Sequence, residues 1–158
     1  MVEKQTTARQ PQWNIHEAVV LLVAYLEAQR KERPRAHIVR EVSAALRQMA
    51  QNQGLLIDDI YRNENGISFQ FQRMDSAFSR KTIFLPSTKL FDEVVNLYTN
   101  SRERFDVILS DAFRMINPQK TNTDTFKEWL SKNYPKQSWE SIIKDLQTAE
   151  EYCKKSSY

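Results

Sequence analysis

The sequence predicts an all-α protein, on the strength of three observations. Only two glycines occur in 158 residues, whereas an all-β fold needs many turns with positive φ that favour glycine. Each long segment carries apolar residues at the 3.6-residue spacing of a helix with a buried face. Asn or Ser residues, which can cap a helix, precede most of these segments.

The first predicted helix begins at a capping box made by Asn14 and Glu17, whose spacing lets each side chain bond the other's backbone amide. The following run is apolar on all sides, which predicts a heavily buried helix with Trp13 packed at its N-terminus. Pro34 ends the helix, because proline removes a backbone donor and restricts the preceding residue. Residues 1–12 are polar and aperiodic and are predicted to be a disordered lead-in.

The second predicted helix spans residues 35–52 and is followed by Gly54, a glycine in the C′ position. Its inward positions are Ile38, Val42, Ala45, Leu46 and Met49. The aliphatic residues of segment 55–61 are predicted to pack inward and to lead to Asn63, the cap of a third helix. The apolar stripe of that helix is Ile67, Phe71, Met74 and Phe78. Gly66, in its first turn, either permits an unusual backbone angle or lets a partner approach closely.

Residues 81–86 are predicted to form a short extended connector before two further helices. Ser87 is predicted to cap the fourth helix and Ser101 to open the fifth, which ends at residues 117–118 because proline follows. Residues 119–158 are predicted to contain a polar linker and a last pair of helices. The aromatic residues of that pair fit either the core, which their helical spacing favours, or an interface: Phe126, Trp129 and Trp139.

The chain is therefore predicted to consist of three parts after the lead-in. Residues 13–86 form a tri-helical unit like those that bind DNA, residues 87–118 form a helical hairpin packed on it, and residues 119–158 form a C-terminal helical pair. The formal net charge is +3. Residues 1–86 hold twelve Lys and Arg against nine Asp and Glu, whereas residues 87–158 hold eleven of each. The positive surplus lies in residues 1–86, the part of the chain that contains the third helix. This modestly favours a nucleic-acid partner.

The polar face of the third helix leads to the hypothesis that this helix reads DNA bases. Asn and Gln can bond adenine through two hydrogen bonds, and the N-terminal part of a recognition helix enters the major groove. The predicted base contacts are Asn63, Asn65, Ser68 and Gln72, although capping alone also explains Asn63. The predicted phosphate contacts are Arg33, Arg35, Arg40, Arg47, Arg62, Arg73 and Lys81.

The same segments resemble two kinds of helical module. Trp13, Glu17 and the apolar run 20–27 resemble the first helix of Myb/SANT-type tri-helical (helix-turn-helix) DNA-binding domains, with residues 38–50 and 62–74 in place of the second and the recognition helix. The third helix lacks the tryptophan of that pattern. A closer resemblance, over roughly residues 13–112, is to the N-terminal helical modules of bacterial multidomain proteins, including HNH-type restriction-like nucleases. Its matching residues are Trp13, Glu17, Ser43, Leu46, Arg47, Arg62, Asn63, Asn65 and Gly66.

This resemblance implies a DNA-binding or target-recognising module in a bacterial defence or regulatory system. The expected partners are double-stranded DNA and an effector protein or fused catalytic domain. The chain departs from those proteins by ending at Tyr158 without a nuclease half, as expected of an excised domain or a free-standing binder. One cysteine, no secretory signal and no apolar run of about 18 residues lead us to expect a cytoplasmic protein without a membrane partner.

No catalytic, metal or cofactor site is predicted. Two distant glycines do not form a phosphate-binding loop, His16 and His37 lack ligand spacing, and Cys153 has no activating neighbour. Asp58 and Asp59 fit a solvated turn better than a metal site, which requires more converging carboxylates. The chain is therefore predicted not to be an enzyme and to bind no cofactor. The alternative function is protein–protein interaction without nucleic acid, which differs from DNA binding in its weaker salt dependence.

Overall fold

The computed structural model describes residues 10–82 and 84–116, and within these residues it contains five helices and no strand. The all-α prediction is confirmed for this part of the chain. The helices, numbered α1 to α5, span Ile15–Arg30, Arg35–Asn52, Glu64–Ser79, Lys89–Asn100 and Arg102–Ile116. None of them combines the length and the apolar character needed to cross a bilayer. The predicted C-terminal helical pair and Cys153 lie outside the described residues.

Helix α1 lies at the centre of the fold. Every residue from Glu17 to Glu27 is buried, and α1 packs against each of the other four helices. A helix that is apolar around its whole circumference is stable in water only when it is surrounded in this way. Trp13 packs at its N-terminal end, as predicted, where its ring meets that of Phe91 edge to face at 6.0 Å between centroids.

One hydrophobic core joins all five helices. Helices α4 and α5 are separated only by Ser101 and pack against α1 as well as against each other. Residues of the predicted 13–86 unit and of the predicted 87–118 hairpin therefore bury the same apolar surface. The predicted stripe of α3 faces this core, with Phe71 completely buried and Phe78, at its C-terminal end, 38% exposed.

The capping box predicted for α1 is present. The Glu17 amide donates to Asn14 Oδ1 at 2.9 Å, and the Asn14 amide donates to Glu17 Oε1 at 3.1 Å. After α2, Gly54 has a φ of +83°. Its amide and the next one donate back to the carbonyl groups of Gln51 and Ala50, which is a Schellman motif. The glycine predicted at the C′ position of α2 is thereby confirmed.

The predicted cap of α4 is wrong by one residue. The hydroxyl oxygen of Thr88 accepts the Phe91 amide at 3.0 Å, and Thr88 has the extended backbone of an N-cap, with φ −114° and ψ 162°. Ser87 instead donates to Asp92 Oδ1 at 2.8 Å. Both residue types cap helices well, so the backbone conformation rather than the side chain selects between them.

The prediction that the aliphatic residues of segment 55–61 pack inward is wrong for three of the four. Leu55, Leu56 and Ile60 are exposed, Ile57 is half-buried, and Tyr61 is the buried residue of the segment. Backbone groups of this segment are hydrogen-bonded instead: Arg47 donates to the carbonyl groups of Asp58 and Tyr61. On the other side of the same segment, Gln10 Nε2 donates to Asp58 Oδ2 at 3.4 Å, so the end of the predicted lead-in contacts the folded protein.

Candidate nucleic-acid interface

The outward face of α3 is open along its N-terminal half. Asn65 and Phe69 are exposed there, and Ser68 and Gln72 are half-buried beside them. None of the three polar side chains forms a hydrogen bond within the described residues. Three of the four predicted base contacts therefore share one accessible surface, which we call the α3 face: Asn65, Ser68, Phe69 and Gln72.

The C-terminal half of α3 is covered by the connector to α4. Ser76 Oγ donates to the Leu85 carbonyl at 2.6 Å, and Ser76 is buried. One turn earlier, Arg73 Nη1 donates to the Pro86 carbonyl at 3.1 Å. The connector thus covers α3 around Ser76, whereas Phe78 and Ser79 at the end of the helix are exposed. It also holds Arg73, a predicted phosphate contact, at the border of the α3 face.

Asn63 has a structural role, because its Oδ1 accepts the Gly66 amide at 2.8 Å and so caps α3. Gly66 does not have the unusual backbone angle considered from the sequence, since Gly54 is the glycine with positive φ among the described residues. A β-carbon at Gly66 would lie 3.1 Å from the same Asn63 oxygen. The glycine therefore leaves room for the cap.

Three predicted phosphate contacts have exposed side chains near α3: Arg35, Arg40 and Lys81. Arg40 Nε lies 4.0 Å from Glu64 Oε2 at the start of α3, and both side chains are more than half exposed. The guanidinium carbon of Arg35 lies 5.1 Å from the centre of the Phe71 ring. Lys81 follows the C-terminus of α3. All three are sterically accessible to a phosphate.

Two other predicted phosphate contacts, Arg33 and Arg47, are occupied by partners in the protein. Arg33 pairs with Glu27 Oε2 at 2.9 Å and with Glu41, and the bonds to these carboxylates raise the pKa of its guanidinium. Arg47 Nη1 donates to the carbonyl groups of Asp58 at 3.0 Å and Tyr61 at 2.6 Å. Arg47 therefore stabilises the turn before α3.

Arg62 is buried, with 4% of its side chain exposed. Its Nε lies 2.8 Å from Glu17 Oε2 and its Nη2 lies 3.0 Å from Glu17 Oε1, so the two side chains form a bidentate ion pair. The guanidinium carbon also lies 4.4 Å from the Tyr61 ring centre and 4.8 Å from that of Trp13. A phosphate can reach Arg62 only if this pair opens, which disfavours the predicted contact.

The residues that carry the resemblance to bacterial helical modules mostly belong to this buried network. Ser43 Oγ donates to the Arg62 carbonyl at 2.7 Å, and Leu46 is completely buried. The motif residues with a structural contact are Trp13, Glu17, Ser43, Leu46, Arg47, Arg62, Asn63 and Gly66. Within the described residues, Asn65 is the one that is exposed and has no hydrogen bond. The motif thus specifies a scaffold that presents Asn65.

The charge at the N-terminus of α3 is mixed. Glu64 is its first residue, and Asp58 and Asp59 lie in the turn before it. These carboxylates oppose the attraction that Arg35 and Arg40 exert on a phosphate. A partner at this surface therefore meets charges of both signs.

The described residues contain no group of three or more potential metal ligands. Beneath α3, the Tyr25 hydroxyl donates to Asp75 Oδ1. Burial and this bond raise the pKa of Tyr25, so its phenol remains a neutral donor. An open cavity of about 400 Å³ beside the C-terminus of α3 is lined by residues of both charges, including Lys81 and Asp92.

Comparison with protein-family models, curated proteins and solved structures finds no match to this chain. The inference of function therefore depends on the α3 face itself. Sequence reasoning overlooked one residue of this face, Phe69, which is 49% exposed. Its position, four residues after Asn65 and three before Gln72, is the signal that places it on the same side of the helix.

Proposed function

We propose that the protein binds double-stranded DNA with the N-terminal half of α3 in the major groove. The observation that carries this proposal is the pair of side-chain amides at Asn65 and Gln72, which share an accessible face and have no hydrogen bond within the described residues. Amides that serve the fold are engaged, as the cap at Asn63 is. Free amides on one helix face are available to base edges.

Each residue of the α3 face has a distinct role in this proposal. Asn65 and Gln72 bond the N6 and N7 atoms of adenine, and each correct pair is worth roughly 1–3 kcal/mol of discrimination against another base. Phe69 offers an apolar surface to the methyl group of thymine. Ser68 bonds either a base edge or a phosphate. Asn63 acts indirectly, because its cap fixes the orientation of the helix end.

The phosphate contacts of this proposal are fewer than the sequence predicted. Arg35, Arg40 and Lys81 are exposed, and Arg73 is half-buried with donors left beyond the one that bonds the Pro86 carbonyl. The other three predicted residues are held by carboxylates or by the turn before α3: Arg33, Arg47 and Arg62. Four contacts give a plot of log K against log salt with a slope of about −3.6, and seven contacts give about −6.3. The slope therefore distinguishes the two sets of residues.

The test is a fluorescence anisotropy titration with labelled duplex DNA at four salt concentrations. One duplex carries a site that the protein selects from random sequences, and the other carries a scrambled version of that site. The Asn65→Ala, Gln72→Ala double variant is expected to lose at least tenfold in preference for the selected site, with an unchanged salt slope. Gln51→Ala, which removes an exposed amide from α2, is the matched control. The proposal is contradicted if wild type binds neither duplex, or if the double variant loses the same affinity for both.

The resemblance to N-terminal modules of bacterial multidomain proteins supports a further part of this proposal. In that setting the protein supplies target recognition to an effector in a defence or regulatory system, either on the same chain or on another. A pull-down with site-bearing duplex DNA from a bacterial lysate, compared for wild type and the double variant, tests it. The expected result is that wild type retains an effector on the DNA and that the double variant does not.

A further inference from the structure

The loop between α2 and α3 exposes its apolar side chains. Leu55 is 47% exposed, Leu56 is 102% exposed and Ile60 is 50% exposed. Single exposed aliphatic residues are ordinary on protein surfaces. Three within six consecutive residues are a local concentration of apolar side chains, and exposed apolar surface of this kind is a candidate interaction site. We call these three residues the loop surface.

The backbone of this loop is held by hydrogen bonds rather than by its apolar side chains. Asp58 Oδ1 accepts the amides of Ile60 at 3.0 Å and Tyr61 at 2.8 Å. Arg47 donates to the carbonyl groups of Asp58 and Tyr61 from the opposite side, and the Schellman motif at Gly54 fixes the other end. The loop therefore turns its polar groups inward and holds its aliphatic groups in water.

This arrangement favours binding. A loop that is ordered before it meets a partner loses little conformational entropy on association. Burial of exposed aliphatic groups against a partner then favours association through the hydrophobic effect. The loop surface therefore combines a fixed backbone with exposed aliphatic side chains.

The charge around the loop surface indicates the chemistry of that partner. No lysine or arginine occurs between Arg47 and Arg62, whereas Asp58 and Asp59 do. Desolvation raises the pKa of Asp58, but hydrogen bonds from the Tyr61 amide and from Gln10 outweigh it and lower the pKa below its ordinary value, so this carboxylate stays charged. Asp59 is exposed and lies between Leu56 and Ile60 in the sequence, so it is the carboxylate that can pair with a basic neighbour of an apolar side chain.

We propose that the loop surface is the docking site for an amphipathic helix of a partner protein, whose apolar face is flanked by Lys and Arg. Leu56 inserts into that helix's apolar face, with Leu55 and Ile60 at its sides, and Asp59 pairs with a basic flank. This mode uses the apolar positions i, i+3 and i+4 of the partner helix as anchors. It does not depend on DNA binding, because the loop surface precedes α3 and shares no residue with the α3 face.

The first test uses a fluorescein-labelled helical peptide of Leu and Lys residues, with a matched peptide that has Glu in place of Lys. Wild type is expected to bind the basic peptide at least tenfold more tightly than the acidic one. The variant Leu55→Ser, Leu56→Ser, Ile60→Ser is expected to lose at least tenfold in affinity with its melting temperature unchanged, because these side chains are already exposed. Absence of binding by wild type, or equal binding by the variant, overturns the proposal.

The second test identifies what covers the loop surface in the full chain. A photo-reactive benzoylphenylalanine replaces Leu56, and cross-linked products are mapped by mass spectrometry with and without the basic peptide. A cross-link to the peptide supports the proposal. A cross-link to a second copy of the chain, or to residues 117–158 of the same chain, shows a different occupant and overturns it. Both tests are carried out without DNA, so their outcome is separate from that of the DNA titration.

Discussion

Replacement of Arg62 by methionine is expected to destabilise the protein by about 3–5 kcal/mol, because it leaves the buried Glu17 carboxylate without a cation. The side chain of Glu17 is 2% exposed and that of Arg62 is 4% exposed, so water cannot replace the lost partner. Methionine has a similar length to arginine, which limits the cavity. Arg62 already has a φ of +46°, and methionine has the same backbone preference, so no additional strain is introduced.

The assay is urea unfolding followed by circular dichroism. The expected loss corresponds to a fall in melting temperature of roughly 6–20 °C for a chain of this size. Arg40→Met is the matched control, since Arg40 also lies near a carboxylate but both side chains are more than half exposed. This control is expected to change the free energy of unfolding by less than about 0.5 kcal/mol.

A double variant separates loss of the ion pair from loss of volume. Glu17→Gln removes the buried charge and keeps an oxygen that can still complete the capping box. In the Arg62→Met background it is therefore expected to recover part of the lost stability. The reasoning is refuted if Arg62→Met unfolds within about 1 kcal/mol of wild type. If that variant also binds duplex DNA more weakly, Arg62 is a phosphate contact, as the sequence suggested.

Three further predictions concern single positions. Burial raises the pKa of Glu27, whose Oε1 has no hydrogen-bond partner among the described residues, so its contribution to stability is present at low pH and is lost as pH rises through that raised pKa. Glu27→Gln should flatten this part of a plot of melting temperature against pH, and an unchanged plot would contradict the assignment. Gly54→Ala should cost about 1–2 kcal/mol in urea unfolding because its φ is +83°, and a neutral effect would contradict it. Gly66→Ala alone should change the free energy of unfolding by less than about 1 kcal/mol, because its β-carbon would lie 3.1 Å from the cap oxygen of Asn63. In an Asn63→Ala variant that oxygen is gone, so Gly66→Ala should stabilise the protein by up to about 1 kcal/mol. Equal effects in both backgrounds would refute this.

The helices of the described residues were predictable because local rules determine them. The capping box at Asn14, the cap at Asn63 and the C′ glycine at Gly54 each depend on residues within five positions of one another. Apolar spacing likewise identified the buried stripes, since a helix fixes which residues share a face. The burial of α1 on all sides followed from its composition alone.

The candidate site was less predictable, because charge and polarity in a sequence do not show which side chains have partners. Nothing in the sequence separates the paired arginines from the exposed ones. Arg33, Arg47 and Arg62 are paired, whereas Arg35 and Arg40 are exposed. Their partners lie on other elements: Arg62 pairs across 45 positions, and Arg47 donates to carbonyl groups 11 and 14 positions away. Those contacts exist only after α1, α2 and the turn before α3 have packed together.

Segment 55–61 shows that the sequence also does not reveal which apolar residues stay exposed. Its aliphatic residues indicated burial, because apolar side chains usually lie inside. The fold leaves them in water, since Arg47 and the Asp58 carboxylate bind the backbone of the loop from within. The sequence by itself determined that helices form and which faces they bury, and it located their ends to within a residue or so at Asn14, Asn63, Gly54 and Thr88, because those choices are local. Tertiary structure alone decided which charges are paired and which apolar residues remain exposed, because a side chain's partner depends on which distant elements pack beside it.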